Sequence, residues 1–281
     1  MRPILSGRLL ATAIAATVLP AAALAQTPPK TTAPSTPARP APPSAEARAA
    51  GKALFAKVVE GLGGTAKARG VRDVSTRGQI TAKTPQGEMT MEIQTAMIFP
   101  DHLSQQVDAP FGRLAMIATP AGAFVVGPNG SQDLPDSMRE ELLRQVQRVP
   151  LHLAQKIDDP KLVAAGAGTE KIGGVEAAVL DVRYDDMAVR WFVDPKTGRI
   201  LRTAHTAVGP DGKNATVVSD YSDYRSVDGF PVAHRLEVTT NGEKDQTLVL
   251  EECRFNAGVD AKLFEKPAPP PPTPAVPPPG S

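Results

Sequence analysis

Along most of the chain apolar side chains recur at every second position, the spacing of a strand whose two faces meet different surroundings. The alternation is most regular from Met187 to Phe255. There Met187–Asp194 meets Arg199–Thr206 across Asp194-Pro-Lys-Thr-Gly198, where proline presets the second turn position and Gly198 can take positive φ. The next connection is Gly209-Pro-Asp-Gly212, followed by a strand near Thr216–Arg225. After the corner Val227–Pro231, strand Val232–Thr240 turns at Asn241-Gly242, the strongest two-residue hairpin signal, into Gln246–Phe255. Such a meander is a scaffold, and none of its residues marks a reaction centre.

Two further sets of strands precede it. Val74–Ala82 and Glu88–Phe99 form a hairpin over Thr84-Pro-Gln-Gly87. In the second of these strands Met89, Met91, Ile93, Met97 and Phe99 share one side, with Thr90, Glu92 and Gln94 on the other. Strand Gly112–Thr119 adds Leu114 and Met116. Methionine is flexible and polarisable, which suits an apolar wall that must accept varied shapes; the same stripe also fits an ordinary core under a helix. Val163–Thr169, a Gly173-Gly174 turn and Val175–Tyr184 then lead into the meander.

The period becomes helical in two places. Ser44 is a plausible N-cap with Glu46 in the first turn, and Ala50, Leu54, Phe55, Val58 and Leu62 follow on one face until Gly61, Gly63 and Gly64 stop the helix. These glycines close a helix instead of opening one, and no Gly-Lys-Ser/Thr occurs, so a phosphate loop is disfavoured. Ser137-Met-Arg-Glu140 has the form of a capping box, starting a helix that Pro150 ends. Its apolar stripe is Met138, Leu142, Val146 and Val149, and Glu140 and Arg144 pair on its wet face. A short helix over Leu151–Ile157 follows. This insert between two sets of strands is either a plug for an open end of the sheet or a lid. Asn256–Phe264 ends the domain, with Leu263 and Phe264 as a final hydrophobic tuck. The fold class is α+β, mainly antiparallel β: one strongly curved sheet of about 11–12 strands with helices filling its concave side.

Composition narrows the setting. Arg2 and Arg8 precede an apolar run from Leu9 to Leu24 ending in Ala23-Leu24-Ala25, so residues 1–25 have the form of a cleaved export signal and the mature chain begins at Gln26. A soluble periplasmic protein is the expectation, with an uncleaved membrane anchor as the alternative. Residues 26–43 and 267–281 are proline-rich and expected to be extended spacers, leaving one domain over 44–266. Lys+Arg number 31 against Asp+Glu 30, so no basic surplus points to nucleic acid. Cys253, the only cysteine, has no partner for an internal disulfide and is better explained as a small strand residue than as a reactive thiol.

The chain carries no recognisable catalytic or metal-binding signature. His102, His152, His205 and His234 are scattered without a zinc motif, although His205 and His234 can approach in a meander. No Gly-x-Ser-x-Gly, Ser-x-x-Lys or kinase signature occurs. The acidic pairs Asp158-Asp159, Asp185-Asp186 and Glu251-Glu252 lie in turns or face opposite ways in a strand, and Asp220-Tyr-Ser-Asp223 lacks the ligand count of a calcium loop. Trp191, on a hairpin strand, fits the core. No cofactor or metal is expected.

Taken together, the opening helix Ala50–Leu62, the segment Ile98-Phe-Pro-Asp-His-Leu103, the turn Trp191–Gly198 and Ser219–Pro231 resemble the LolA/LolB-like superfamily of periplasmic lipoprotein-sorting proteins. The resemblance covers most of Ala50–Phe264. It implies an incomplete antiparallel barrel closed by helices, with an apolar cavity for acyl chains. Under it Met89, Met91, Ile93, Met97, Phe99, Leu114 and Met116 would line the cavity, and Met138, Leu142, Val146 and Val149 would form the lid. The family's carrier has a lid-latching arginine just before the proline that corresponds to Pro100; this chain has Phe99 there. The function implied is a non-enzymatic periplasmic binder or carrier of lipid or acylated protein, with an envelope protein as a further partner and a monomer as the expected state. The competing expectation is a structural or accessory interaction domain with a packed core and no ligand. A hydrolase would need a nucleophile and base that the sequence does not display.

Overall fold

Period-two alternation becomes thirteen strands, all paired antiparallel in a single sheet. They are β1 (Asp73–Thr84), β2 (Gly87–Ile98), β3 (His102–Ala109), β4 (Gly112–Thr119), β5 (Gly122–Gly127), β6 (Gly130–Asp133), β7 (Leu162–Ile172), β8 (Val175–Tyr184), β9 (Met187–Val193), β10 (Ile200–Val208), β11 (Asn214–Val227), β12 (Phe230–Thr240) and β13 (Glu243–Phe255). The computed structural model describes residues 42–267 apart from 85–86, 111 and 209–212. The expected export signal 1–25, nearly all of the expected linker 26–43, the residues from 268 and the tips of two expected turns, at 85–86 and 209–212, lie outside the described residues.

The spatial order is β6-β5-β4-β3-β2-β1-β13-β12-β11-β10-β9-β8-β7. It amounts to two meanders, β1–β6 and β7–β13, joined where the first strand pairs with the last: Ile80 faces Leu248 and Val74 faces Phe255. β6 and β7 are left as the free edges, so the sheet is an incomplete curved barrel, as expected. The strand count exceeds the expectation because β5 and β6 are short and carry no clean alternation. All four residues of β6 are exposed, which leaves no hydrophobic face to read.

Among the described residues four helices complete the fold: α1 (Ala45–Gly61), α2 (Thr65–Arg69), α3 (Asp136–Arg148) and α4 (Pro150–Gln155), with a 3-10 turn at Ala261–Phe264. α1 starts as its cap predicts, Ser44 Oγ accepting from the Ala47 N–H at 3.1 Å. The capping box at Ser137 does not form. Pro135, extended at φ −60° and ψ 154°, is the residue before the helix, so Ser137 already lies inside the first turn where its hydroxyl has no N-cap to make. Arg144 likewise leaves the expected Glu140 and pairs with Asp186 at 2.7 Å and Glu141 at 3.7 Å. Of the expected terminal tuck, Phe264 is buried against Ala115, Ile117 and Phe124, whereas Leu263 stays 40% exposed.

The connection α3–α4 runs from edge strand β6 to edge strand β7, across the gap where the barrel fails to close. Leu142 and Val146, both fully buried, pack on Leu103, Met116, Ala118 and Ala123 of the first meander and its β5. Leu151, Leu153 and Ala154 of α4 join Phe55, Val58, Trp191 and Val193 on the other side. Trp191 has no exposed surface and stacks on Phe55 at 5.5 Å between ring centroids. Gln155 pins α4 to the loop around α2, its Nε2 donating to the carbonyls of Ala68 (3.0 Å) and Val71 (2.8 Å). The insert is therefore anchored to both wings of the sheet.

α1 rests directly on the backbone of edge strand β7. A Cβ at Gly51 would meet the Cα of Ala165 at 2.4 Å and the carbonyl oxygen of Ala164 at 2.5 Å. Glycine in a helix interior ordinarily costs about 0.5–1 kcal/mol relative to alanine. Here the sign should reverse, because no backbone atom can retreat. Gly51→Ala is expected to destabilise the domain by roughly 1–3 kcal/mol, the range of overpacking, measured as a lower midpoint in chemical denaturation; an unchanged or raised midpoint would show that α1 does not seat so closely.

Candidate functional site

The concave face of the sheet is apolar at both ends. Toward the β1–β2 turn, Met91, Ile93, Ile80, Ala82 and Val107 are buried against one another, with Met89, Ala109, Leu114 and Leu248 around them. At the opposite end the α1–α4 core closes the fold. Between them lies a cavity of about 330 Å3. Val58 and Leu62 of α1 and Val149, Pro150 and Leu151 of the α3–α4 junction form one wall; Val74, Met97, Ile200, Leu236, Leu248, Leu250 and Phe255 of the sheet form the other.

Of the residues expected to line such a cavity, Met97 and Phe99 do so, and of the expected lid residues Val149 does. Met89, Met91, Ile93 and Leu114 share the same face but lie in the packed cluster beyond it. Met116, Leu142 and Val146 pack together under α3. Met138 is half-buried at the start of α3. The largest part of the lining comes from β10–β13, which sequence reasoning treated as scaffold alone. The signal that would have found it is a row of inward polar residues, Thr203, His205, Ser219 and Tyr221, in strands otherwise apolar on that face.

Phe99, in the place of the latch arginine, stacks on His152 of α4 at 5.6 Å and 15° between ring planes. His152 is buried, and its Nδ1 lies 3.3 Å from Gln155 Oε1. Burial, helped by the nearby Lys156 charge, holds its pKa down at about 4, so the ring is neutral at physiological pH. The helical insert is thus held at this point by an aromatic contact.

Arg148 forms a buried ion pair with Glu141 at 2.7 Å, the two side chains being 9% and 5% exposed. His205 faces the same cavity; burial, and then the Arg148 charge, lowers its pKa to about 3. Burial pushes the Cys253 thiol, also on the wall, up to about 11. Neither ring nor thiol is charged near neutrality, so apart from Arg148, paired with Glu141, and the exposed Arg199, the cavity offers apolar contact and hydrogen bonds. Among the described residues no group of His, Cys, Asp and Glu is arranged to hold a metal. A second groove, about 350 Å3, runs on the opposite face beside the C-terminal segment; its lining is about evenly polar and apolar and carries charged pairs such as Arg77–Glu252, at 2.9 Å. The concave cavity is the better candidate site.

No protein-family model and no curated protein matches the sequence. Among solved structures, a DUF1329 family protein from Desulfovibrio piger superposes with a TM-score of 0.54 at 13% identity, covering 78% of this chain and 98% of its own. A LolA superfamily protein from Nitrosomonas europaea gives 0.49 at 15% identity, over 72% and 96%. A domain from Vibrio parahaemolyticus described as an outer membrane lipoprotein-sorting protein domain gives 0.45 at 17%, over 77% and 97%. At 13% identity the likeness to the DUF1329 family protein is one of fold alone.

The two neutral histidines set an acid limit on stability. Both have pKa values below the ordinary 6.5, so the unfolded chain binds more protons than the folded one as pH falls. The stability they preserve is complete above 6.5 and is lost toward about 4 for His152 and about 3 for His205. Between about pH 7 and about pH 5 each should remove on the order of 2 kcal/mol, visible as a falling urea midpoint. His152→Phe should flatten part of that slope; an unaltered slope would assign the acid loss elsewhere.

Proposed function

We propose that this chain is a non-enzymatic protein of the periplasm that holds one acyl chain, of a lipid or an acylated protein, in the cavity between the concave sheet and the α3–α4 insert. The cavity carries the proposal: a volume at the lower end of the roughly 300–1,000 Å3 of small-molecule sites, walled mainly by aliphatic and aromatic side chains. Such a volume suits a single chain better than a whole multi-chain lipid. The apolar run at the N-terminus, with its small-residue cleavage pattern, supports export.

The energetics are adequate. Each methylene removed from water contributes about 0.8 kcal/mol, so a chain of about sixteen carbons would gross roughly 13 kcal/mol before ordering and association costs. Partial burial, with the remainder outside, lowers this to a value compatible with release to an acceptor. The insert that covers the cavity is fixed by Phe99–His152 stacking, Gln155 and the Arg144–Asp186 pair, so entry of a chain beneath it requires those contacts to yield. The open volume favours this reading over a fully packed interaction domain.

Native mass spectrometry of the protein taken gently from a cell-envelope extract should show a co-purifying amphiphile with a single inserted chain. Ala233, small and half-buried on the cavity wall, gives the matching variant: Ala233→Phe fills the space and should abolish the adduct while leaving the thermal midpoint within a few degrees. An apo wild-type protein that also refuses added lipid would favour the interaction-domain reading.

A further inference from the structure

The concave wall is interrupted by a polar belt. On β1 the inward sequence is Val74, Thr76, then Ile80 and Ala82; on β2 it is Met97, Thr95, Ile93; on β3 it is Leu103, Gln105, Val107. The register aligns Thr76 with Thr95 and Thr95 with Gln105, so three polar side chains fall in one row with apolar rows above and below. Opposite them, Thr203 is paired with Ser219, and the hydroxyls of Thr203 and Tyr221 lie 3.4 Å apart. α3 adds Gln145 and Arg148 from above. All of these line the cavity.

The belt is incompletely satisfied. Gln105, 1% exposed, has its Oε1 without a hydrogen-bond partner among the described residues, and so do Nε of Arg148, whose side chain is 9% exposed, and Nε2 of His205. A buried polar atom left unpaired costs about 1–3 kcal/mol, so a row of them facing one volume is expensive unless something enters to pair them. The unmet groups include an acceptor, the Gln105 carbonyl, and a donor, the Arg148 N–H. Around Arg148 the charges cancel: Asp186, Arg144, Glu141 and Arg148 form an alternating series with contacts of 2.7, 3.7 and 2.7 Å, two charges of each sign, while the other cation of the lining, the exposed Arg199, lies over the Tyr224 ring. A carboxylate or phosphate placed beside Arg148 would bring a third negative charge next to Glu141 in a desolvated site.

Building on the lipid form of the acyl-binding reading, since a protein-linked chain could enter only tail-first, we propose that the ligand enters head-inward and that its head is an uncharged group carrying both hydrogen-bond donor and acceptor, of the glycerol-ester or N-acyl-amide class, seated on Gln105, Arg148 and His205. The belt then sets head-group specificity while the aliphatic walls set affinity for the chain.

Calorimetric titration of the full chain with three saturated single-chain amphiphiles of equal length tests this: a monoacylglycerol, the corresponding fatty acid and the corresponding lysophosphatidylglycerol. The monoacylglycerol should bind roughly tenfold more tightly than either anion, the difference one or two buried hydrogen bonds supply. Gln105→Leu, close in volume and removing an unpaired carbonyl, should fold with an undiminished midpoint and erase that preference by weakening the monoacylglycerol alone. Equal or tighter binding of an anion, or a preference that survives both Gln105→Leu and Thr95→Val, overturns the inward neutral head and leaves acyl binding intact. Failure of all three probes to bind overturns the acyl-carrier reading and this inference with it.

Discussion

An antiparallel sheet with two free edges and an apolar concave face cannot stand alone in water, and the way that face is covered governs the rest of this structure. Closure into a full barrel would bury the face and abolish the edges together. Here the chain instead leads α3 and α4 from one free edge to the other, so that the segment covering the face is also the only covalent link across the gap. α1 covers the β7 edge so closely that only glycine fits at position 51. The remaining edge, β6, is short and wholly exposed, which limits what can add to it.

A cavity persists because the two coverings do not meet. One end of the concave face is filled by its own side chains, centred on Ile80 and Met91, and the other by helices around Trp191. Between them the inward positions are occupied by Thr76, Thr95, Ser219 and Thr203, small side chains that leave room and prefer not to collapse onto hydrocarbon. Polarity and empty volume therefore have one origin. The buried Arg148–Glu141 pair roofs this zone, and breaking it from either side would strand a charge.

Much of the fold was legible in the sequence. Asn241-Gly242, the Asp194–Gly198 turn and the alternation around them place β9 to β13, and Ser44 and the glycines at 61, 63 and 64 bound α1 closely. Periodicity, however, reports which face a residue takes and says nothing of how far along the strand the packing extends. Met91 and Met97 share a face, yet the first is locked in a cluster and the second borders the cavity, because the wall opposite depends on β1 meeting β13 and on where the insert lands. The inward Thr95 interrupts the methionine stripe at the point where the cavity begins. The failed capping box at Ser137 has a more local cause: Pro135 fixes the helix start two residues earlier than the motif predicts.

The pairing of the first strand with the last has a consequence in time. Each meander is built from neighbouring strands joined by short turns, so its contacts are close in sequence and can form early, whereas the seam between Ile80 and Leu248 unites opposite ends of the domain. Loop closure over that span makes the seam the late, slow event of folding. Until β13 arrives, both β1 and β12 present unpaired backbone edges, and the concave hydrocarbon of each half lies open. A chain with this topology therefore passes through a stage in which strand edges and apolar surface are exposed together, the state most open to association with other chains.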